Sequence, residues 1–205
     1  SLLEDRVYII EERLLEGRLH DPHSVLGVHR SASTWVVRHV DPHAESLSVR
    51  TATGLTPMTR VAPGLHEAVL PTEPPLPLTL VAARGMGKQE EVVSPWSVAP
   101  TLGEQDLYLF NEGRLMRAWR VLGAVPMTHG GIAGVRFACW APNAERVSVV
   151  GEFNAWDGRA HPMTSRGASG VWELFIPGVR TGALYKFEIR ARGTGAVFVK
   201  FDPFG

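Results

Sequence analysis

The chain has 205 residues, 21 Lys plus Arg against 21 Asp plus Glu, and no net charge at pH 7. That length suits one or two domains, and without a basic cluster neither a nucleic-acid partner nor a membrane surface is expected. No apolar run reaches the roughly 18 residues of a membrane helix, no secretory signal opens the chain, and a single cysteine forbids an internal disulfide, so a cytoplasmic location is expected.

In chain order, Leu3, Val7, Ile10 and Leu14 recur at helical spacing with charges between them. Ser1 and Glu4 match a capping box and Gly17 is placed to end the element, which predicts a short helix within residues 1–19. The 21 Gly and 15 Pro imply many turns and few long helices beyond it. GVRFACW alternates, with Val135, Phe137 and Cys139 on one face. VWELFI and LYKFEIRA alternate as well, the latter with Tyr185, Phe187 and Ile189 on one side. Short alternating runs between Gly/Pro turns predict β-sandwich architecture.

An internal repeat sets the organisation. VLG at 25–27 returns at 121–123, DPHAESLSV at 41–49 as APNAERVSV at 141–149, and PMTR at 57–60 as PMTS at 162–165. GLHEAVLP at 64–71 returns as GVWELFIP at 170–177, and AARG at 82–85 as RARG at 190–193. The offset grows in order from 96 to 108, as a duplicated module with unequal loops requires. Its step from 100 to 105 falls where the second copy carries FNAWDGRAH, so the loop bearing Trp156 is an addition that the first copy lacks. The expected fold is all-β: two tandem immunoglobulin-like β-sandwiches with a short amino-terminal helix and a short linker helix. The expected boundaries are 1–19 for the helix, 20–98 for the first module, 99–120 for a linker and 121–205 for the second module. Within the linker, a short helix is expected from Arg114 to Leu122.

HDPHSVLGVH at 20–29, DLYLFNEG at 106–113 and the run from Phe137 to Gly178, continued by YKFEI and DPFG, resemble the amino-terminal part of bacterial glycogen branching enzymes. The second module is similar to a carbohydrate-binding module of family 48, and the first to the extra amino-terminal module of one group of these enzymes. The resemblance implies a parent enzyme that cuts α-1,4-glucan and rejoins it through an α-1,6 bond, with an Asp nucleophile and a Glu acid/base on a (β/α)₈ barrel. Such a barrel needs about 250 residues of alternating strands and helices, which this chain does not have. The expected role is therefore non-catalytic: two modules that support glucan positioning and pack on a carboxy-terminal catalytic barrel. Two alternatives remain, the front end of a debranching enzyme or trehalohydrolase, and a free-standing glucan-binding protein.

The residues offer little chemistry of their own. A retaining glycosidase needs two carboxylates about 5 Å apart, whereas Asp21, Asp41, Asp157 and Asp202 all sit beside Pro or Gly in turns. His20, His23 and His29 lack the spacing of a metal site, and RGMGK at 84–88 lacks the Ser/Thr of a phosphate loop and reads as a hairpin turn. No catalytic residue, metal or cofactor is expected, and Cys139 reads as core. Trp156 differs, because a flat aromatic ring in a polar turn can stack on the apolar face of a pyranose. In the family, the Trp of this FNxWD turn forms a glycan platform with the Lys of the YKF strand nearby. Trp156, Asn154 and Lys186 match those positions and are the candidate glycan-binding residues. Glycan-binding members also carry a second Trp in the following hairpin, but here RARGTGAVFV has no aromatic before Phe198. The expected partner is α-1,4-glucan or glycogen, bound weakly.

Overall fold

The computed structural model describes Arg13, residues 19–112 and residues 120–201. The expected amino-terminal helix, apart from Arg13, and residues 114–119 of the expected linker helix lie outside them; Val121 and Leu122 form a turn and a bend. The chain divides into two compact units, one built on His23–Val98 and the other running from Ala99 onward.

The first unit holds β1 (Gly27–Ser31), β2 (Thr34–Val40), β3 (Ser46–Thr51), β4 (Gly54–Pro57), β5 (Thr59–Ala62), β6 (Leu65–Leu70), β7 (Thr79–Ala83) and β8 (Gln89–Val93). Two antiparallel sheets form, in the orders β1-β2-β6-β5 and β4-β3-β7-β8. Alternation supplies the core: Val37, Leu47, Val49, Ala68, Leu70, Leu80 and Ala82 are buried, together with Leu78 just before β7. Gly27 has a φ of 90°, and a Cβ there would strike the Trp96 carbonyl oxygen, so only glycine fits.

The second unit repeats the plan. It holds β9 (Gly123–His129), β10 (Ile132–Trp140), β11 (Ala144–Gly151), β12 (Thr164–Ser165), β13 (Val171–Pro177), β14 (Tyr185–Ala191) and β15 (Val197–Lys200). Its sheets run β12-β13-β10-β9 and β11-β14-β15. The first matches the β5-β6-β2-β1 order of the other unit, and the second matches β3-β7-β8 with no counterpart of β4. Equivalent hydrogen bonds within each copy mark the correspondence. The Met58 amide donates to the Leu47 carbonyl and the Met163 amide to the Val147 carbonyl, while Asp41 and Ala141 donate to Gly64 and Gly170. The two units are a structural duplication, and the segment carrying Trp156 stands where the first copy has β4.

Residues 99–111, expected in a linker, are grouped with the second unit and include a short helix, α1 (Glu104–Asn111), earlier in the linker than the expected Arg114–Leu122. Glu104 and Asp106 lie in its first turn, where the positive end of the helix dipole favours them, and Leu107 and Phe110 pack on Ala138 and Val171. Ahead of α1, the Glu173 carboxylate on β13, 1% exposed, pairs with Arg166 and accepts from the Thr101 amide and hydroxyl and the Leu102 amide. β13 is therefore covered on both faces, which is why Val171–Ile176 are all buried despite their alternating sequence.

Candidate functional site

The Trp156 loop leaves β11 at Gly151 and makes one 3₁₀ turn, Glu152–Asn154. Ala155 and Trp156 then both take left-handed conformations, with φ of 54° and 59°. Each such non-glycine residue costs roughly 1–2 kcal/mol, so the loop holds its Trp against an unfavourable backbone preference.

Three devices impose that conformation. The Trp156 amide donates to the Gly151 carbonyl at 2.9 Å. Asn154, 7% exposed, donates through Nδ2 to the Val149 carbonyl and to His161 Nδ1, both at 2.9 Å, and its Oδ1 accepts from the Gly151 amide at 3.0 Å. Arg146, buried on β11, donates through Nη1 to the Gly158 carbonyl at 2.8 Å and the Ser148 hydroxyl at 2.7 Å, and through Nη2 to Glu188 Oε1 at 2.7 Å. A Cβ at Gly158 would fall on the Glu188 carboxylate, which would have to shift to make room. At the loop's outer end Asp157 accepts from both the backbone and the side chain of Arg159.

With its backbone fixed, Trp156 leaves its side chain 43% exposed. Lys186, on β14, places Nζ 5.9 Å from the Trp156 ring centroid, within cation–π range. The structure thus brings Trp156 and Lys186 together. It does not bring Asn154 to the surface beside them: both amide hydrogens are engaged inside the loop, so this residue shapes the turn. An aromatic that the sequence reading passed over also reaches Lys186, since Phe201 lies with its ring centroid 4.3 Å from the same Nζ. Its signal is the strand register: Phe187 pairs with Lys200, so continuing the antiparallel ladder sets Lys186 opposite Phe201.

Several of the other residues weighed for chemistry have structural partners, and Asp202 lies outside the described residues. His23 Nε2 bonds the Val98 carbonyl and His29 Nε2 the Leu26 carbonyl. Among the described residues no group of three or more His, Cys, Asp or Glu could hold a metal. Asp41 bonds Arg84; burial alone would raise its carboxyl, but the guanidinium outweighs that and holds it below the usual carboxylate range. RGMGK closes the β7–β8 hairpin, with Lys88 donating to the Gly85 carbonyl, and Cys139 is buried. No helix among the described residues is long and apolar enough to cross a membrane.

Comparison with known proteins fits this architecture. Residues 10–95 match the family model of the alpha-1,4-glucan branching enzyme GlgB, N-terminal domain, and residues 121–205 match Carbohydrate-binding module 48 (Isoamylase N-terminal domain). The 1,4-alpha-glucan branching enzyme GlgB of Nitrosospira multiformis is 52% identical over 196 residues, covering 93% of this chain and 26% of that protein. That of Methylobacillus flagellatus is 47% identical over 193 residues, covering 94% of this chain and 26% of that protein. A solved pullulanase from Anoxybacillus sp. LM18-11 aligns at 14% identity and a TM-score of 0.33, over 86% of this chain and 25% of that one, which adds nothing to the assignment. The chain spans about a quarter of the length of the curated relatives it matches. Fold and family models together define a tandem of non-catalytic immunoglobulin-like modules, the second a carbohydrate-binding module. Across both segments the chain is similar to the amino-terminal region of glycogen branching enzymes, and the described residues include no catalytic barrel.

Proposed function

We propose that this chain is the glucan-positioning front end of a cytoplasmic 1,4-alpha-glucan branching enzyme, which cleaves α-1,4-glucan and makes the α-1,6 branch points of glycogen. The second module holds a glucan chain on Trp156 and Lys186 while the rest of the enzyme, which makes up most of each relative's length, carries out the transfer. The observation that carries this reading is the Trp156 loop itself. It stands where the other copy has a plain strand, and two consecutive left-handed residues keep a large ring partly in water. A side chain needed only for the core would be buried. The identities to branching enzymes favour this parent over a debranching enzyme or trehalohydrolase and over a free-standing glucan-binding protein.

The affinity follows from the contact. Stacking one pyranose on Trp156 covers about 80 Å² of apolar surface, worth roughly 2 kcal/mol. A hydrogen bond from Lys186 adds about 1 kcal/mol. Millimolar binding needs about 4 kcal/mol, so maltoheptaose binds in the millimolar range or more weakly. The test compares wild type with Trp156→Ala by gel retardation in glycogen, with the fold of the variant checked by NMR. The variant is expected to migrate unretarded; equal retardation of both proteins would remove Trp156 from the site. Val197 and Phe198, at the end of β15 away from Phe201, are exposed, and we assign this apolar edge to packing against the catalytic barrel.

A further inference from the structure

We infer that Phe201 is the second aromatic surface of the glucan site, making it a two-ring platform that requires a chain of linked sugars. This rests on the glucan reading above and adds a residue and a length requirement to it.

The argument begins with the register. In the β14–β15 ladder, Glu188 pairs with Val199 and Phe187 with Lys200. Side chains directly opposite each other share a face, and faces alternate along a strand. Phe187 and Ile189 are buried in the core, so Lys186, Glu188 and Arg190 occupy the outer face of this sheet. Val197, Val199 and, one step past the strand, Phe201 belong to that same outer face. The Trp156 loop is bound to the same face through the Arg146–Glu188–Gly158 bonds. Sheet and loop thus bring two aromatic residues to one lysine from separate parts of the chain.

The distances define what such a pair can take. Lys186 Nζ lies 5.9 Å from the Trp156 centroid and 4.3 Å from the Phe201 centroid, so the two rings are at most about 10 Å apart. At that separation the two rings face the first and third of three linked pyranose rings, a span that a disaccharide does not cover. Phe201 is 72% exposed, which a side chain filling a core position would not be. Each ring offers an apolar face for one sugar, and the ammonium between them donates to hydroxyl groups, as it has three donors and no acceptor. A single sugar or a disaccharide meets one ring only; a longer α-1,4 chain meets both. The missing Trp of the β14–β15 hairpin is then replaced from the strand's far end.

The test titrates wild type, Phe201→Ala, Phe201→Leu, Phe201→Trp and Trp156→Ala with maltose and maltoheptaose, following the amide signals of β14 and β15. Wild type is expected to bind maltoheptaose about tenfold more tightly than maltose. Phe201→Ala and Phe201→Leu erase most of that difference and leave maltose binding unchanged, whereas Phe201→Trp restores or increases it. Trp156→Ala weakens both sugars. If Phe201→Ala binds maltoheptaose like wild type while Trp156→Ala does not, the two-ring platform is wrong and the single-Trp site stands. If Phe201→Leu behaves as wild type, ring stacking is wrong. If wild type binds neither sugar, the glucan reading falls with it.

Discussion

Arg146 is the residue on which the Trp156 loop depends most, and its replacement is the sharpest test of how the site is built. Arg146→Met keeps the apolar stem but removes three hydrogen bonds, leaving the buried Gly158 carbonyl and the Glu188 carboxylate without their donor. An orphaned buried carbonyl costs about 1–2 kcal/mol. Breaking a buried ion pair costs about 3–5 kcal/mol, but the Glu188 side chain is 21% exposed and regains water, so about 1–2 kcal/mol is the appropriate share. The total is about 3 kcal/mol, or a fall of about 15 °C in the melting temperature of a unit this size. Because the chain has two units, unfolding in urea should be followed through amide signals of β11 and β14, which score the second unit alone. Adding Glu188→Gln removes the stranded charge and should recover about 1 kcal/mol. Glucan binding should weaken in step with the loosened loop. A loss below about 0.5 kcal/mol for Arg146→Met, typical of an inconsequential surface change, would show that the clamp does not hold the loop.

Ala155→Gly removes a Cβ from a left-handed residue and should stabilise the second unit by about 1 kcal/mol in the same urea titration, without improving glucan binding. Glu173→Ala removes the buried carboxylate that Arg166 pairs with, leaving it the Leu102 carbonyl and exposed Glu104, and strips the 101–102 amides of their acceptor, so amide exchange across residues 101–111 should accelerate strongly while β11 and β14 keep their protection. In the first unit, burial lowers the His66 imidazole below its ordinary value, so the native state resists a proton that the unfolded chain accepts. Its stability should therefore decline as pH falls below about 6.5, and His66→Gln should flatten that slope in thermal melts. Asp41, held low by Arg84, adds a second loss only as pH falls below about 4. Finally, this chain alone should produce neither iodine-colour change nor new reducing ends on amylose; turnover above a blank would contradict its non-catalytic assignment.

Most of the fold was legible because it is periodic. Alternation marked β10 and β14 and the core faces of Phe137 and Phe187, and the growing offset exposed the duplication before any coordinates. The expectation of an inserted loop was correct in place, while its structural meaning was not: in the first copy the same stretch is β4, which lies too close to a turn to read as a strand. The linker helix was expected too late in the chain because the acidic residues around Leu107 and Phe110 resemble a solvated linker. At the candidate site, the resemblance named Trp156 and Lys186 together, and the structure places Lys186 Nζ 5.9 Å from the Trp156 ring centroid. The inward bonds of Asn154 were not legible, because His161 and Val149 become its neighbours only once the loop closes. Phe201 stayed hidden for the same reason, since only strand register sets it opposite Lys186.

The matching amide bonds of Met58 and Met163 have a consequence for how such proteins can be altered. Eleven positions separate Leu47 from Met58 and sixteen separate Val147 from Met163, yet both segments begin and end on the same backbone bond. Everything that distinguishes the copies here is enclosed between two fixed points. The enclosed stretch is thus a cassette: one frame accepts either a closing strand or a projecting aromatic loop. To work in the first copy, a transplanted loop would need an Arg at position 46, a residue able to pair with it at position 81 and glycine at its close approach. Those three requirements, rather than the Trp itself, set the terms on which a plain sandwich of this family could be converted into a sugar-facing one.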